Sequence, residues 1–230
     1  MSRQAARCGI DRVAGVVDGW FARFPAETTV LEDAYLLDPH LPGLSVKVRE
    51  GRALEVKAYR GSPGRLEVAG RARGRLESWQ KWSFPHGPAG RGGGGSAGWR
   101  AVSKRRRISW FSLAGGPARA GDRGSGEGPG CAVELTDVHV GGEAWWTLGF
   151  EATGPRDVLR SELEAAAALV FAMALPGGLE LGMDDSRSYG QWLQRAVAGT
   201  GMPQVLGLSP KLKAIRWPTP ETDPPRIRES

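Results

Sequence analysis

The sequence predicts an α+β fold in which an antiparallel sheet of about eight strands closes into a barrel or tunnel with flanking helices. Two pairs of alternating apolar and polar runs, each pair separated by a glycine-containing turn, predict β-hairpins. The strands follow one another as neighbouring hairpins and do not alternate with helices. The chain has 230 residues, 40% hydrophobic and 24% charged, which is typical of a globular protein that needs no disulfide or metal to fold.

The first half of the chain contains a helix and most of the early strands. Apolar residues at helical spacing predict a helix over residues 11–24, and β-branched and aromatic residues predict a strand over 28–37. Residues 44–50 and 54–59 alternate around Gly51 and predict the first hairpin. Further strands are expected over 76–84 and 101–113, and the glycine-rich stretches 85–98 and 114–130 are expected to be loops.

The second half of the chain adds a hairpin and two helices. Residues 131–140 and 144–152 alternate around Gly141 and Gly142, and helices are expected over 156–175 and 188–198. We expect one domain over residues 1–198. The proline-rich segment 199–230 is expected to be a mostly disordered tail.

Charge is distributed unevenly along the chain, whose net charge is +6. Residues 1–130 carry 22 Lys and Arg against 12 Asp and Glu, whereas residues 131–230 carry 9 against 13. A basic half joined to an acidic half is compatible with an anionic ligand, with a cation bridging it to carboxylates. Arginine, glycine and alanine are all frequent, so part of this charge is compositional.

The alternation places charged side chains on one face of several strands. If these polar faces point inward, they need matching charges, because an unmatched charge in a dry interior is costly. A triphosphate matches several Lys and Arg side chains, and arginine binds phosphate oxygens bidentately. Solvent-facing polar strands are the alternative interpretation of the same pattern.

Several motifs resemble the CYTH superfamily, the triphosphate tunnel metalloenzymes. Residues 44–57 (LSVKVREG followed by LEVK) resemble that superfamily's basic hairpin, and residues 29–37 (TVLEDAYLL) resemble the strand before it. The acidic motifs at residues 134–137 (ELTD) and 145–151 (WWTLGFE) resemble the late acidic pair, and residues 186–193 (SRSYGQWL) resemble the closing helix. Within the superfamily the chain looks closest to a bacterial branch with EVK, KWSF and WWTLGFEA elements.

The resemblance implies an eight-stranded antiparallel tunnel that binds a small anionic phosphorylated ligand, with Mg²⁺ or Mn²⁺ as cofactor. It implies phosphate-binding roles for five basic residues and metal-binding roles for two glutamates: Lys47, Arg49, Lys57, Arg105 and Arg107, with Glu134 and Glu151. The superfamily's N-terminal E-x-E-x-K strand is missing, because residues 2–9 read SRQAARCG and contain no carboxylate. We therefore expect at most weak metal-dependent phosphohydrolase activity and name no catalytic residue.

Two other functions remain open from the sequence. A barrel that binds an apolar small molecule would have Val46, Val48, Leu54 and Phe150 facing inward. The basic run 104–107 beside an aromatic strand could contact nucleic acid, although it fits a strand better, so we do not expect a nucleic-acid partner. No apolar run is long enough to cross a membrane, and Cys8 and Cys131 form no disulfide framework, so we expect a cytoplasmic protein.

Overall fold

The computed structural model describes residues 15–86, 98–113, 119–121, 128–198 and 215–216. Nine strands form one sheet: β1 Glu27–Leu36, β2 Leu44–Arg49, β3 Ala53–Val68, β4 Ala72–Pro85, β5 Trp99–Ser112, β6 Arg119–Gly121, β7 Gly130–Val140, β8 Glu143–Thr153 and β9 Ile215–Arg216. The helices are α1 (described over residues 15–21), α2 Leu159–Val170 and α3 Tyr189–Ala198. No helix in the described part of the chain is long and apolar enough to span a bilayer.

The sheet is curled but open, so the expected closed eight-stranded barrel is wrong. Its strand order is β8-β7-β5-β1-β2-β3-β4-β9, with β6 beside β5, and it forms a half-barrel. All pairings are antiparallel except the short parallel contact of β4 with β9. Closure requires tilt, stagger and strand number to match around the whole ring, which local alternation does not specify.

Both hairpins expected from alternation are confirmed. In the first, Leu44 to Arg49 pairs with Ala53 to Ala58, and Glu50 and Gly51 both have positive φ in the turn. In the second, Gly141 and Gly142 have φ of 60° and 80° and connect Val140 directly to Glu143. Two consecutive positive-φ residues match the right-handed twist of the flanking strands, which explains the glycine pair.

The main hydrophobic core lies on the convex side of β7 and β8. Their side chains on that face, among them Leu135, Leu148 and Phe150, pack against α1 and α2. The other side of these strands faces the concave interior of the half-barrel and carries polar groups. In the described part of the chain, helices α1 and α2 therefore cover part of the outer face of the sheet and do not contact its concave face.

A second, smaller core fills one end of the concave face. There α3 contributes Trp192 and Leu193, which pack with Tyr35, Val102 and Val138 from three strands. The α3 helix thus closes one end of the half-barrel from inside. The polar part of the concave face lies beyond this plug.

Other sequence predictions agree only in part. Helices α1, α2 and α3 fall within the expected segments, but the described parts of α1 and α2 are shorter than expected. Most of the two glycine-rich stretches and of segment 199–230 lies outside the described residues, although β6 and β9 are strands within these regions.

The packing of Phe150 generates a stability prediction. Its side chain is 1% exposed and its ring lies 5.8 Å from that of Phe171. Truncating a buried phenylalanine removes apolar contacts and leaves a cavity, so Phe150→Ala should lower the free energy of unfolding by about 3–5 kcal/mol. Urea denaturation measures this loss. Val30→Ala, at a site that is 76% exposed, is the control and should change stability by less than about 0.5 kcal/mol.

Candidate anion-binding site

A cavity of about 350 Å³ lies on the concave face of the sheet. Four strands direct basic side chains into it, and four strands direct carboxylates into it. The six basic residues are Lys47, Arg49, Lys57, Lys81, Lys104 and Arg106, and the four acidic residues are Asp33, Glu55, Glu134 and Glu151. Fully ionised, this set has a net charge of +2, and we refer to it as the lumen cluster.

Asp33 organises the inner end of the lumen cluster. Its side chain is 1% exposed, and its Oδ2 accepts hydrogen bonds from Lys47 Nζ at 2.8 Å and Lys104 Nζ at 3.0 Å. Burial by itself raises the pKa of Asp33, but the two lysine charges outweigh it and hold the pKa below its usual value. One carboxylate therefore anchors two buried ammonium groups from different strands.

Two tyrosines surround Lys104. Its Nζ donates a hydrogen bond to Tyr35 Oη at 2.6 Å and lies 4.4 Å from the ring centroids of both Tyr35 and Tyr189. Aromatic faces attract cations, and more strongly where water is excluded. Burial raises the pKa of both phenols well above the usual value, so both stay protonated. The tyrosines join the α3 plug to the charged part of the cavity.

Glu55 organises a second group of basic side chains in the lumen cluster. Its carboxylate lies 2.8 Å from Lys81 Nζ, 3.1 Å from Arg49 and 3.4 Å from Lys47 Nζ. Burial raises the pKa of Glu55, but the hydrogen bond from Lys81 and the charges of Lys47 and Arg49 outweigh burial and hold the pKa below its usual value. Burial lowers the pKa of Lys47 despite Asp33 and Glu55. Strand register creates this arrangement, since Lys47 pairs with Glu55 and Lys57 with Lys81.

The carboxylates of β7 and β8 complete the far wall. Glu134 accepts hydrogen bonds from Arg106 and from Thr136 Oγ1. Burial lowers the pKa of Arg106, but Glu134 outweighs it and the net pKa is raised. Glu151 Oε2 lies 3.9 Å from Lys57 Nζ, a contact between β8 and β3 across the curled sheet.

Within the described residues some buried lumen atoms have no hydrogen-bond partner. They include Nε of Arg49 and Oδ1 of Asp33. A buried donor without an acceptor costs free energy that a bound oxygen or water restores. Arg49 Nε is therefore a ready donor for an oxyanion in the cavity.

The structure brings together five of the seven residues nominated from the sequence. Lys47, Arg49, Lys57, Glu134 and Glu151 all line the cavity.

Arg105 and Arg107, expected to bind phosphate in the tunnel, instead lie on the face of β5 that points away from the cavity. Both pair with Asp18 of α1, and Arg105 also pairs with Asp137. Lys104 and Arg106, the alternate residues of the same strand, point into the cavity in their place. Either orientation of β5 would place two of these four consecutive basic residues on each face. The burial of Val102 in the inner core and of Phe111 in the outer core decides which two point inward.

The described residues contain no group of three or more His, Cys, Asp or Glu side chains placed to hold a metal ion. Each lumen carboxylate lies within 4.0 Å of a lysine or arginine. A divalent cation of the Mg²⁺ type takes about six oxygen ligands and would have to displace these ammonium and guanidinium groups. The donor set does not fit a preformed Mg²⁺ or Mn²⁺ site.

Comparison with protein-family models, with curated proteins and with solved structures finds no match. The resemblance to the CYTH superfamily therefore stays a prediction. The candidate site is therefore supported by the arrangement of its side chains alone.

Buried pairing in the lumen cluster generates a pH prediction. Because the pKa of Asp33 is lowered on folding, its contribution to stability is full above its usual pKa of 3.8 and is lost as the pH falls through the folded value. Removing one partner of a buried ionic group leaves the other charge uncompensated. Asp33→Asn should therefore lower unfolding free energy by about 3–5 kcal/mol at pH 7.

The measurement is urea denaturation of wild type and Asp33→Asn between pH 7 and pH 3. The difference between the two proteins should shrink as the solution becomes acidic, since protonation removes the wild-type anion. Asp137→Asn is the control, because its partner Arg105 is 47% exposed and the pair should contribute about 1 kcal/mol or less. A difference in unfolding free energy between wild type and Asp33→Asn that stays constant with pH would contradict the assignment of Asp33 as a buried, ionised anchor of the two lysines.

Proposed function

We propose that the lumen cluster binds a compact polyanion of the triphosphate type. The observation that carries this proposal is the convergence of six basic side chains from four strands on one cavity that holds only four carboxylates. A partly buried excess of positive charge is unfavourable until an anion neutralises it. The cavity volume of about 350 Å³ is within the range of small-molecule sites.

The geometry of the basic groups supports phosphate as the anion. Arginine and lysine bind phosphate oxygens with charge-assisted hydrogen bonds. Arg49 supplies a buried Nε without a partner among the described residues, and Lys57 on β3 lies 3.9 Å from Glu151 at the cavity wall. The strands hold these groups in place before the ligand arrives, which reduces the entropy lost on binding.

An apolar ligand suits this cavity less well. Val46, Val48 and Leu54 alternate with the inward Lys47, Arg49 and Glu55 and are absent from the cavity lining. Phe150 is buried in the outer core. The four side chains that would favour an apolar ligand therefore all lie on the other face of the sheet.

We propose binding without a resident divalent cation as the primary activity. Glu134 and Glu151, the expected metal ligands, are engaged by Arg106 and Lys57. Residues 2–9 contain none of the carboxylates that the resemblance would require. Phosphohydrolysis with Mg²⁺ or Mn²⁺ is a weaker prediction, and no step of such a reaction follows from these residues.

Inorganic tripolyphosphate is the probe that tests the proposal. Because a ligand that binds only the native state stabilises it, saturation at a hundred times Kd should add about 2.7 kcal/mol to the free energy of unfolding. In calorimetry without metal, Lys57→Gln and Arg49→Gln should each bind roughly 10-fold more weakly or worse, the usual worth of a charged hydrogen bond. Both side chains are partly exposed, so both variants should fold.

Arg105→Gln is the matched control for these variants. Arg105 lies on the same sheet, carries the same charge and points away from the cavity. Its variant should keep wild-type affinity for tripolyphosphate. Equal losses in the control and the lumen variants, or no stabilisation of wild type at millimolar tripolyphosphate, would overturn the proposal.

Glu151→Gln separates a metal-free site from a metal-dependent one. Without metal, Glu151 repels the phosphate and holds Lys57, so its neutral variant should bind tripolyphosphate roughly 3- to 10-fold more tightly. If Glu151 instead holds a cation that bridges to the phosphate, the variant should bind more weakly, and only when Mg²⁺ or Mn²⁺ is present. Calorimetry with and without each metal decides between these outcomes.

A further inference from the structure

The second half of β3 and the first half of β4 form a basic hairpin that the lumen cluster does not use. We call residues 60–76 the arm. It contains five arginines and one glutamate, a net charge of +4 in a chain whose net charge is +6. These residues, all exposed, are Arg60, Arg65, Glu67, Arg71, Arg73 and Arg75.

The register of the arm concentrates three arginines on one face. Arg65 pairs directly with Arg75, and two residues further along the same face Glu67 pairs with Arg73. Like charges directly opposite each other in a sheet are destabilising. Within the described residues Arg65, Arg73 and Arg75 form no salt bridge, and Glu67 is the one carboxylate of the arm, so the arm keeps a net charge of +4.

The backbone beneath these arginines is fixed. On the other face of the arm, Leu66, Ala72 and Leu76 are buried in the main core. Along the β4 edge, Arg73 N donates to Leu181 O at 2.7 Å and Arg75 N donates to Ser186 Oγ at 2.8 Å. The guanidinium groups are therefore displayed from a rigid platform, which favours binding over an equally charged flexible segment.

We propose that the arginine face of the arm binds the phosphodiester backbone of a nucleic acid. Alternate residues on a strand are separated by about 7 Å, so the face presents charges in a row, suited to a polymer with regularly spaced phosphates. The apolar residues of the arm point inward and leave no apolar anchor for a lipid surface. This site is separate from the lumen cluster and does not depend on its ligand.

The location differs from the basic run 104–107 considered from the sequence. In that run Lys104 and Arg106 face the lumen, whereas Arg105 and Arg107 pair with Asp18. Those cations already have carboxylate partners. The proposal for the arm therefore departs from the expectation, drawn from the sequence, that nucleic acid is not a partner.

The test uses the full chain and fluorescence anisotropy with labelled single-stranded and double-stranded 20-nucleotide DNA and RNA. The arm variant combines Arg65→Gln, Arg73→Gln and Arg75→Gln. The control variant combines Arg52→Gln, Arg100→Gln and Arg156→Gln, which removes the same charge from three exposed arginines outside the arm. Titrations at several salt concentrations report the number of phosphate contacts, because log K falls by about 0.9 per contact per decade of salt for duplex DNA.

Wild type and the control variant should bind alike, and the arm variant should bind at least roughly 10-fold more weakly at low salt, with a salt slope smaller by about 2 to 3. The relative affinities for single-stranded and double-stranded DNA and RNA identify which type of nucleic acid the arm binds. Equal binding by the two triple variants, or no binding by wild type at low salt, would overturn the proposal. So would binding of wild type to anionic vesicles in preference to every oligonucleotide.

Thermal unfolding separates loss of binding from loss of folding. The arm variant loses the repulsion between Arg65 and Arg75 and also the attraction between Arg73 and Glu67, so its Tm should stay close to that of wild type. Tripolyphosphate binding in the lumen should stay unchanged in this variant. A lowered Tm together with lost lumen binding would indicate a folding defect and would refute the arm as an independent surface.

Discussion

The fold depends on one electrostatic constraint, the matching of charges on the concave face of a curled sheet. Asp33 illustrates it, because a carboxylate that is 1% exposed holds two lysines from neighbouring strands. This pairing offsets the cost of burying Lys104, and Lys47 lies between Asp33 and Glu55, since an unpaired buried charge costs more than any local strand preference can offset. Glu55 repeats the arrangement with three basic partners. The register of β1, β2, β3 and β5 is therefore fixed by ion pairing as well as by apolar packing.

This constraint also explains why the apolar residues form two separate cores. The larger core lies outside β7 and β8 under α1 and α2, and the smaller one lies inside the sheet where α3 inserts Trp192. Between them the concave face remains polar and accessible to a ligand. Helix α3 carries Tyr189 against Lys104, so the plug that closes one end also shapes the binding cavity. The packing of the plug and the proposed anion site thus share the side chain of Tyr189.

Three groups of basic residues in the described part of the chain have different environments, although the sequence shows them as one excess of positive charge. In the lumen cluster they are interleaved with carboxylates, and a small net charge is left for an anion. On the convex face, Arg105 and Arg107 attach α1 through Asp18. On the arm, arginines face solvent and one another. Total charge says little about these roles, because each role depends on what lies opposite the cation.

The sequence by itself determined the elements whose signals are local. Alternation and turn glycines predict both hairpins and place Lys47, Arg49 and Lys57 on one face of the first hairpin, while their phosphate-binding role comes from the family resemblance. Tertiary structure decided the rest. It left the sheet open, because closure depends on tilt and stagger around the whole ring. It turned Lys104 and Arg106 inward, because Val102 and Phe111 are buried on opposite sides of β5. It added Asp33, Glu55 and Lys81 to the site through pairings between strands, which no single segment encodes.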